Sequence, residues 1–189
     1  VRLRRREPPQ PTLLMLGPVE LVGATGSEPA RSRSQLLEMC GWLLEHPQRT
    51  ASQMATAMAV AEGTRRSNMS RLRSWLGQDP SGEPYLPDAY SGRISLHEDV
   101  TSDAHAVRLL VGPGVDRVSE GSLTAILELV RGGVLADVAP GQWFWAEELR
   151  SDLESTVRDV GVVLSGRALE RGDLELARWA AQRALVALA

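Results

Sequence analysis

The chain has one cysteine, no lysine and no long hydrophobic run. A single Cys40 cannot form an internal disulfide, which fits a reducing compartment and points to a cytoplasmic protein. It lies in an apolar helical stretch and reads as a small core residue. With lysine absent, all 21 cationic residues are arginine, a bias carrying no functional information of its own. No stretch of 18 apolar residues occurs, so no membrane-spanning helix is expected. The N-terminus has basic residues without an apolar segment behind them, unlike a secretory leader. His46, His97 and His105 are scattered, without metal-ligand spacing. A phosphate-binding GxxxxGK[ST] loop and a GxGxxG ahead of a helix are missing too, as is any defensible Ser/Cys–His arrangement. The carboxylates Glu147 and Glu148 fall on a helix exterior. These absences point away from an enzyme and from any metal or small-molecule cofactor.

What is present is enough apolar sequence, 43% of 189 residues, for one large domain or two small ones. The formal charge of −3 argues against indiscriminate nucleic-acid binding. The charge is unevenly spread, with 12 Arg against 10 acids in residues 1–98 and 9 Arg against 14 acids in residues 99–189. A mildly basic half followed by an acidic half implies two domains with different partners.

Residues 1–11, VRLRRREPPQP, combine a basic cluster with prolines and read as a linker or tail. A chain opening on Val1 reads as a piece of something longer, and any membrane contact would come through residues outside it. Residues 12–25 give two short apolar runs broken at Gly17-Pro18, a pair of strands. Residues 34–46 carry Leu36, Leu37, Cys40, Leu43 and Leu44 at helical spacing, with Ser34 as N-cap and Pro47 as the stop. Thr50 is expected to cap a second helix, Ala51 to about Ala59, with Met54, Ala57 and Met58 inward. Gly63-Thr64 is expected to break the chain, with Thr64 capping a third helix that ends at Gly77. Around Ser91-Gly92, YLPDAYSGRISL has the pattern of a hairpin. Strands, three helices and a terminal hairpin form the order of a winged helix-turn-helix over residues 12–98.

The third helix, within TRRSNMSRLRSWLG (64–77), is the most informative segment. Met69, Leu72 and Leu76 form a candidate buried stripe. Ser67, Ser70, Arg71 and Ser74 then point away from it, with Arg66 and Arg73 on one shoulder. Short hydroxyls between guanidinium groups suit close approach to phosphates and base edges. Arg66, Ser67, Ser70, Arg71, Arg73 and Ser74 are the DNA-binding candidates, with Arg65, Arg93 in the hairpin and Thr50 at the second helix, and with Arg49 as a further backbone contact. Arg65 projects near the apolar stripe, where it would pair with an acid of the following domain. Trp42 and Trp75 are placed between the first and third helices.

Residues 99–189 read as helical throughout, with segments at 102–111, 119–131, 143–170 and 173–188. Gly172 turns the chain, Asp173 caps the last helix, and Ala177, Ala180, Ala181 and Ala184 allow two helices to approach closely. A helical hairpin of this kind resembles a tetratricopeptide-type repeat. Trp143, Phe144 and Trp145 form the strongest aromatic cluster, expected to be buried against neighbouring elements.

Taken in order, LMLGPVEL, SRLRSWLG and YLPDAYSGRISL, then SDAHAVRLL, LELVRGGVLADV, QWFWAEELRSDLESTVRDV and RGDLELARWAAQRAL, resemble the actinobacterial antibiotic regulatory proteins over residues 12–189. That family joins an OmpR-type winged helix to a bacterial transcriptional activation domain. The resemblance implies a mainly α fold with small β elements, in which a winged helix precedes an α-helical repeat domain whose last helices are missing here. It implies a DNA-binding transcriptional regulator, with the third helix and wing on DNA. The helical domain would serve dimerisation or contact with RNA polymerase. Asp103 matches an acidic position at the start of the second domain, where the expectation is capping. The segment MATAMAVAEGT lacks the Trp-Pro pair of many members, and Arg93 is the only cation of the wing. An alternative keeps the fold but not the DNA, as a protein-interaction module of a larger, membrane-tethered protein.

Overall fold

The computed structural model describes residues 10–88, 92–112, 114–139 and 141–188. Most of the expected tail, and the hairpin tip at Ala89–Ser91, lie outside the described residues. The fold is mainly helical with a few small strands. The chain divides into two compact units. One holds Leu21–Thr101 and the stretch ending at Leu13, and the other holds Leu14–Glu20 and the chain from Ser102 onward. The chain passes to the second unit after Thr101, and the segment Leu14–Glu20 belongs to that unit too.

Strands β1 (Thr12–Leu14), β2 (Glu20–Val22) and β5 (Thr101–Ser102) form a three-stranded sheet in the order β2-β1-β5. Helix α1 (Arg33–Glu45) buries Leu36, Leu37, Met39, Cys40, Trp42 and Leu43. Each large side chain so placed contributes about 1.5–3 kcal/mol relative to exposure. The helix starts earlier than expected, with Ser32 at the N-cap in a left-handed conformation (φ 64°) and no side-chain cap. Ser34 lies inside the first turn. Cys40 is fully buried, which pushes its thiol pKa up to about 12.

Strand β3 (Arg49–Thr50) follows, and Thr50 caps α2 (Ala51–Ala57). Gln53 N donates to Thr50 Oγ1 at 3.2 Å, and Thr50 N donates to Gln53 Oε1 at 2.9 Å. This reciprocal box is worth about 1 kcal/mol. Met54 is buried and Met58 half-buried, but Ala57 is exposed, because two turns of helix present only a narrow inward face.

Helix α3 (Glu62–Leu76) runs through Gly63 and Thr64, which therefore neither break the chain nor cap the helix. Ala61 is the N-cap. Glu62 in the first turn complements the helix dipole and draws Arg65 and Arg66 toward it, and Gly63 sits in that first turn, where a glycine costs less than in the helix interior. Gly77 ends the helix at φ 78°, donating to Arg73 O at 3.0 Å. The loop after β2 clasps this end: Thr25 N donates to Leu76 O at 3.1 Å, and Gly26 N to Trp75 O at 3.0 Å.

Strand β4 (Arg93–Ile94) pairs antiparallel with β3, in the register Arg49↔Ile94 and Thr50↔Arg93. Its established partner is therefore a strand between α1 and α2. Nearer the base, His97 N donates to Tyr85 O at 2.9 Å and Tyr85 N to Gly77 O at 3.0 Å, so the arms flanking residues 89–91 do converge.

The second unit contains α4 (Asp103–Val111), α5 (Glu120–Leu129), α6 (Glu147–Glu170) and α7 (Leu174–Val186), with short 3-10 turns at Val115–Arg117 and Phe144–Ala146. Ser102, Ser119 and Asp173 cap α4, α5 and α7. Gly172 turns the chain between α6 and α7 at φ 81°. These two helices pack so closely that a Cβ built on Gly161 would stand 2.3 Å from Ala184 Cβ. Ala177, Ala180 and Ala184 are buried, whereas Ala181 is exposed.

Asp103 does not cap α4. It is buried, and its carboxylate accepts the backbone N–H groups of Met15 (2.8 Å) and Leu16 (2.9 Å) as well as Ala104 (2.8 Å). Asp137 accepts Val19 N at 2.8 Å, and Arg131 Nη2 donates to Pro18 O at 2.7 Å. Side chains of the second unit therefore satisfy the backbone of Leu14–Glu20 and hold it in place. Among the described residues no helix is long and apolar enough to cross a membrane.

Candidate nucleic-acid interface

The exposed face of α3 carries five of the expected residues. Arg66, Ser67, Ser70, Arg71 and Ser74 are all exposed, while Met69, Leu72 and Leu76 are buried on the other side. Two further residues share the buried face. Trp75 packs there, in the region where α1 and α3 meet and Trp42 is also buried. Asn68 is only 1% exposed and donates to Gln35 Oε1 at 3.2 Å. The inward positions thus run 68, 69, 72, 75 and 76, an ordinary helical stripe with one polar member.

Arg66 keeps 73% of its side-chain surface and meets Glu62 at 2.5 Å, an exposed i,i+4 pair. Such pairs are worth a few tenths of a kcal/mol, so an incoming phosphate would replace the carboxylate at little cost. Among the described residues, Arg71 is held by one long 3.4 Å contact, from Nη1 to Ser32 Oγ. Ser74 Oγ donates to Ser70 O at 3.0 Å, which fixes that hydroxyl and leaves its lone pairs outward.

The remaining candidates are engaged within the first unit. Arg73 is withdrawn: Nε donates to Leu86 O at 2.8 Å and Nη2 lies 3.0 Å from Asp88 Oδ1. Arg65 retains 13% of its side-chain surface, and Glu62 of its own helix lies 3.9 Å from its Nη2. Arg93 Nη1 donates to Gln48 O at 2.9 Å. The Thr50 hydroxyl serves its capping box, and Arg49 is exposed on β3.

In the second unit, Trp143 and Trp145 stack with centroids 5.6 Å apart and planes at 18°. Trp143 is buried, but Phe144 between them is 76% exposed, against the expectation that the whole cluster would be buried. At three residues per turn, successive side chains of a 3-10 turn point about 120° apart, so adjacent rings cannot all face one core. Sequence reasoning also missed the approach of Asp79, His97 and Asp99. His97 and Asp99 are two apart, which is legible, but Asp79 joins them only through the pairing of the arms around Tyr85.

Neither a family model nor a curated protein matches the chain.

Proposed function

We propose that the chain is a DNA-binding transcriptional regulator of the cytoplasm, built as a winged helix-turn-helix followed by an α-helical, tetratricopeptide-like unit. The observation that carries this reading is the exposed row of Arg66, Ser67, Ser70, Arg71 and Ser74, backed by a fully apolar or satisfied inner face on the same helix. In this reading α3 enters the major groove. Arg66 and Arg71 supply phosphate or guanine contacts, and the serines let the helix approach closely. The arm carrying β4 lies along the backbone, with Arg93 as its cation. The likeness of the sequence to the actinobacterial antibiotic regulatory proteins supports the same assignment. No catalytic or cofactor role is proposed.

Selection of binding sites from random duplexes with the purified chain tests this directly. A defined motif is expected. The double variant Arg66→Ala/Arg71→Ala should then lose about 10²-fold or more in affinity at near-physiological salt. Its salt dependence should fall by about two units of slope if both residues meet phosphates. A double variant that keeps full affinity for the selected site sinks the proposal.

For the second unit we propose a protein-contact role, as a homodimer interface or a surface for RNA polymerase. Val162, Leu169, Leu185 and Leu188 are exposed beside a groove of about 430 Å³ between α6 and α7. The competing reading, an interaction module without DNA binding, is favoured by the intramolecular bonds of Arg65, Arg73 and Arg93 and by the net charge of −3. The same selection separates the two, because a module of that kind enriches no motif.

A further inference from the structure

We propose that Asp79, His97 and Asp99 form a binding site for a first-row divalent cation, with Zn²⁺ the best fit, where the turn after α3 meets the segment between β4 and β5. The site lies within the first unit and does not depend on the DNA-binding reading. Each of the three residues offers one ligand atom, and these atoms lie within 4.8 Å of one another. His97 Nδ1 is already 3.7 Å from Asp99 Oδ2. A tetrahedral zinc with bonds of about 2.0–2.1 Å spaces its ligands roughly 3.3 Å apart. Binding therefore requires the three half-exposed side chains to draw together around the ion.

The three groups are also oriented for the task. Asp79 Oδ1 accepts Ser81 N and Glu83 N, both at 2.8 Å. Those bonds hold Oδ1, and the Ser81 hydroxyl donates to Oδ1 at 2.7 Å and to Oδ2 at 2.9 Å, which among the described residues leaves Oδ2 the less engaged oxygen. The His97 ring is held edge-on against the buried Tyr85, with centroids 5.9 Å apart. The backbone N–H of Asp99 donates to His97 Nδ1 from 3.2 Å, so that nitrogen presents its lone pair, on the side of Asp99 Oδ2. A metal would take that lone pair in place of a long, weak contact. Asp99 Oδ1 is occupied by Gln10 Nε2 at 3.2 Å, which steadies the third ligand.

The donor set selects the ion. Two carboxylates and a neutral imidazole carry the charge that a dication neutralises. Among the described residues neither Asp79 nor Asp99 is ion-paired with an arginine, in a chain with 21 of them. One nitrogen and two oxygens suit Zn²⁺, Co²⁺ or Mn²⁺ and are poor for Ca²⁺ or Mg²⁺, which take all-oxygen shells. Three protein ligands leave a coordination position for water. Bound there, the ion ties the turn that follows α3 to the arm that carries β4.

Calorimetric titration of the chelator-treated full chain with Zn²⁺ tests the site. One equivalent is expected to bind, with no displacement by millimolar Mg²⁺ or Ca²⁺. Asp79→Asn, His97→Gln and Asp99→Asn should each weaken binding at least tenfold, while His46→Gln and His105→Gln leave it unchanged. An arm that needs no variant is histidine modification by diethylpyrocarbonate, read by mass spectrometry. Zn²⁺ should protect His97 and leave the reactivity of His46 and His105 as it was. Absence of Zn²⁺ binding, binding indifferent to all three ligand substitutions, or a His97 that stays equally reactive with Zn²⁺ present overturns the proposal.

Discussion

Arg73 lies on the helix proposed to read DNA, yet its Nε donates to the carbonyl oxygen of Leu86 at 2.8 Å. Thirteen residues separate the two, and the bond ties α3 to the start of the arm that leads toward β4. Arg73 therefore has a structural role that Arg66 does not share. Arg73→Ala should lower unfolding free energy by about 1–2 kcal/mol, because it strands a partly buried carbonyl. Arg66→Ala should stay within about 0.5 kcal/mol of the parent. Urea denaturation of both variants checks the contrast. An Arg73→Ala chain with unaltered stability and impaired DNA binding would move Arg73 into the interface.

Asp103 yields a second contrast. Replacing it by Asn keeps the shape but turns an N–H₂ toward backbone N–H groups of Met15, Leu16 or Ala104. A loss of roughly 2–4 kcal/mol is expected for a buried acceptor of this kind. Burial raises the Asp103 pKa above the ordinary 3.8, against the opposing backbone N–H bonds and Arg131. The folded state then binds the proton more readily than the unfolded state. Its contribution is fully present below about pH 3.8 and is lost as pH rises through the raised value. The stability gap between the parent and Asp103→Asn should therefore narrow with rising pH in the weakly acidic range. Chemical denaturation of the pair at stepped pH measures it, and a gap that widens with pH contradicts the assignment.

Two glycines of α6 are expected to respond in opposite directions. A Cβ at Gly161 collides with Ala184, whereas a Cβ at Gly166 meets nothing within 4 Å. Gly166→Ala should stabilise by about 0.5–1 kcal/mol through helix propensity. Gly161→Ala should destabilise by about 1–3 kcal/mol, since overpacking outweighs the same propensity gain. Thermal melts of the two single variants suffice.

Cys40 supplies a reporter of opening in the first unit. With its thiol fully buried and pushed up to about 12, it should be inert to iodoacetamide at pH 8 and react at the rate of unfolding. Fast labelling of the native chain would mean that α1 opens locally.

The helices were legible because their apolar residues recur at helical spacing, as Leu36, Leu37, Cys40 and Leu43 show in α1. Their starts were less so. Ser34 and Thr64 are good cap types, but each stands inside a helix that begins before it; in α3 the acid Glu62, paired with Arg66, opens the first turn ahead of Thr64. On α3 the outward row was readable from the position of Met69, Leu72 and Leu76 alone. The withdrawal of Arg73 was not, because its partners Leu86 and Asp88 reach it only after the chain has turned twice. Asp103 shows the limit most plainly. Its type and place suggested a local cap, and its partners Met15 and Leu16 are more than eighty residues away.

The transfer of Leu14–Glu20 to the second unit makes the chain indivisible by any single cut. A fragment starting at Ser102 would place a buried carboxylate opposite nothing and leave Asp137 and Arg131 without the backbone they hold. On the ribosome the same segment emerges before its partners and must wait, unmatched, until Asp103 and then Asp137 have been synthesised. The second unit is therefore assembled from two separated stretches of the chain, and transplanting it to another protein requires a donor segment as well as the helices.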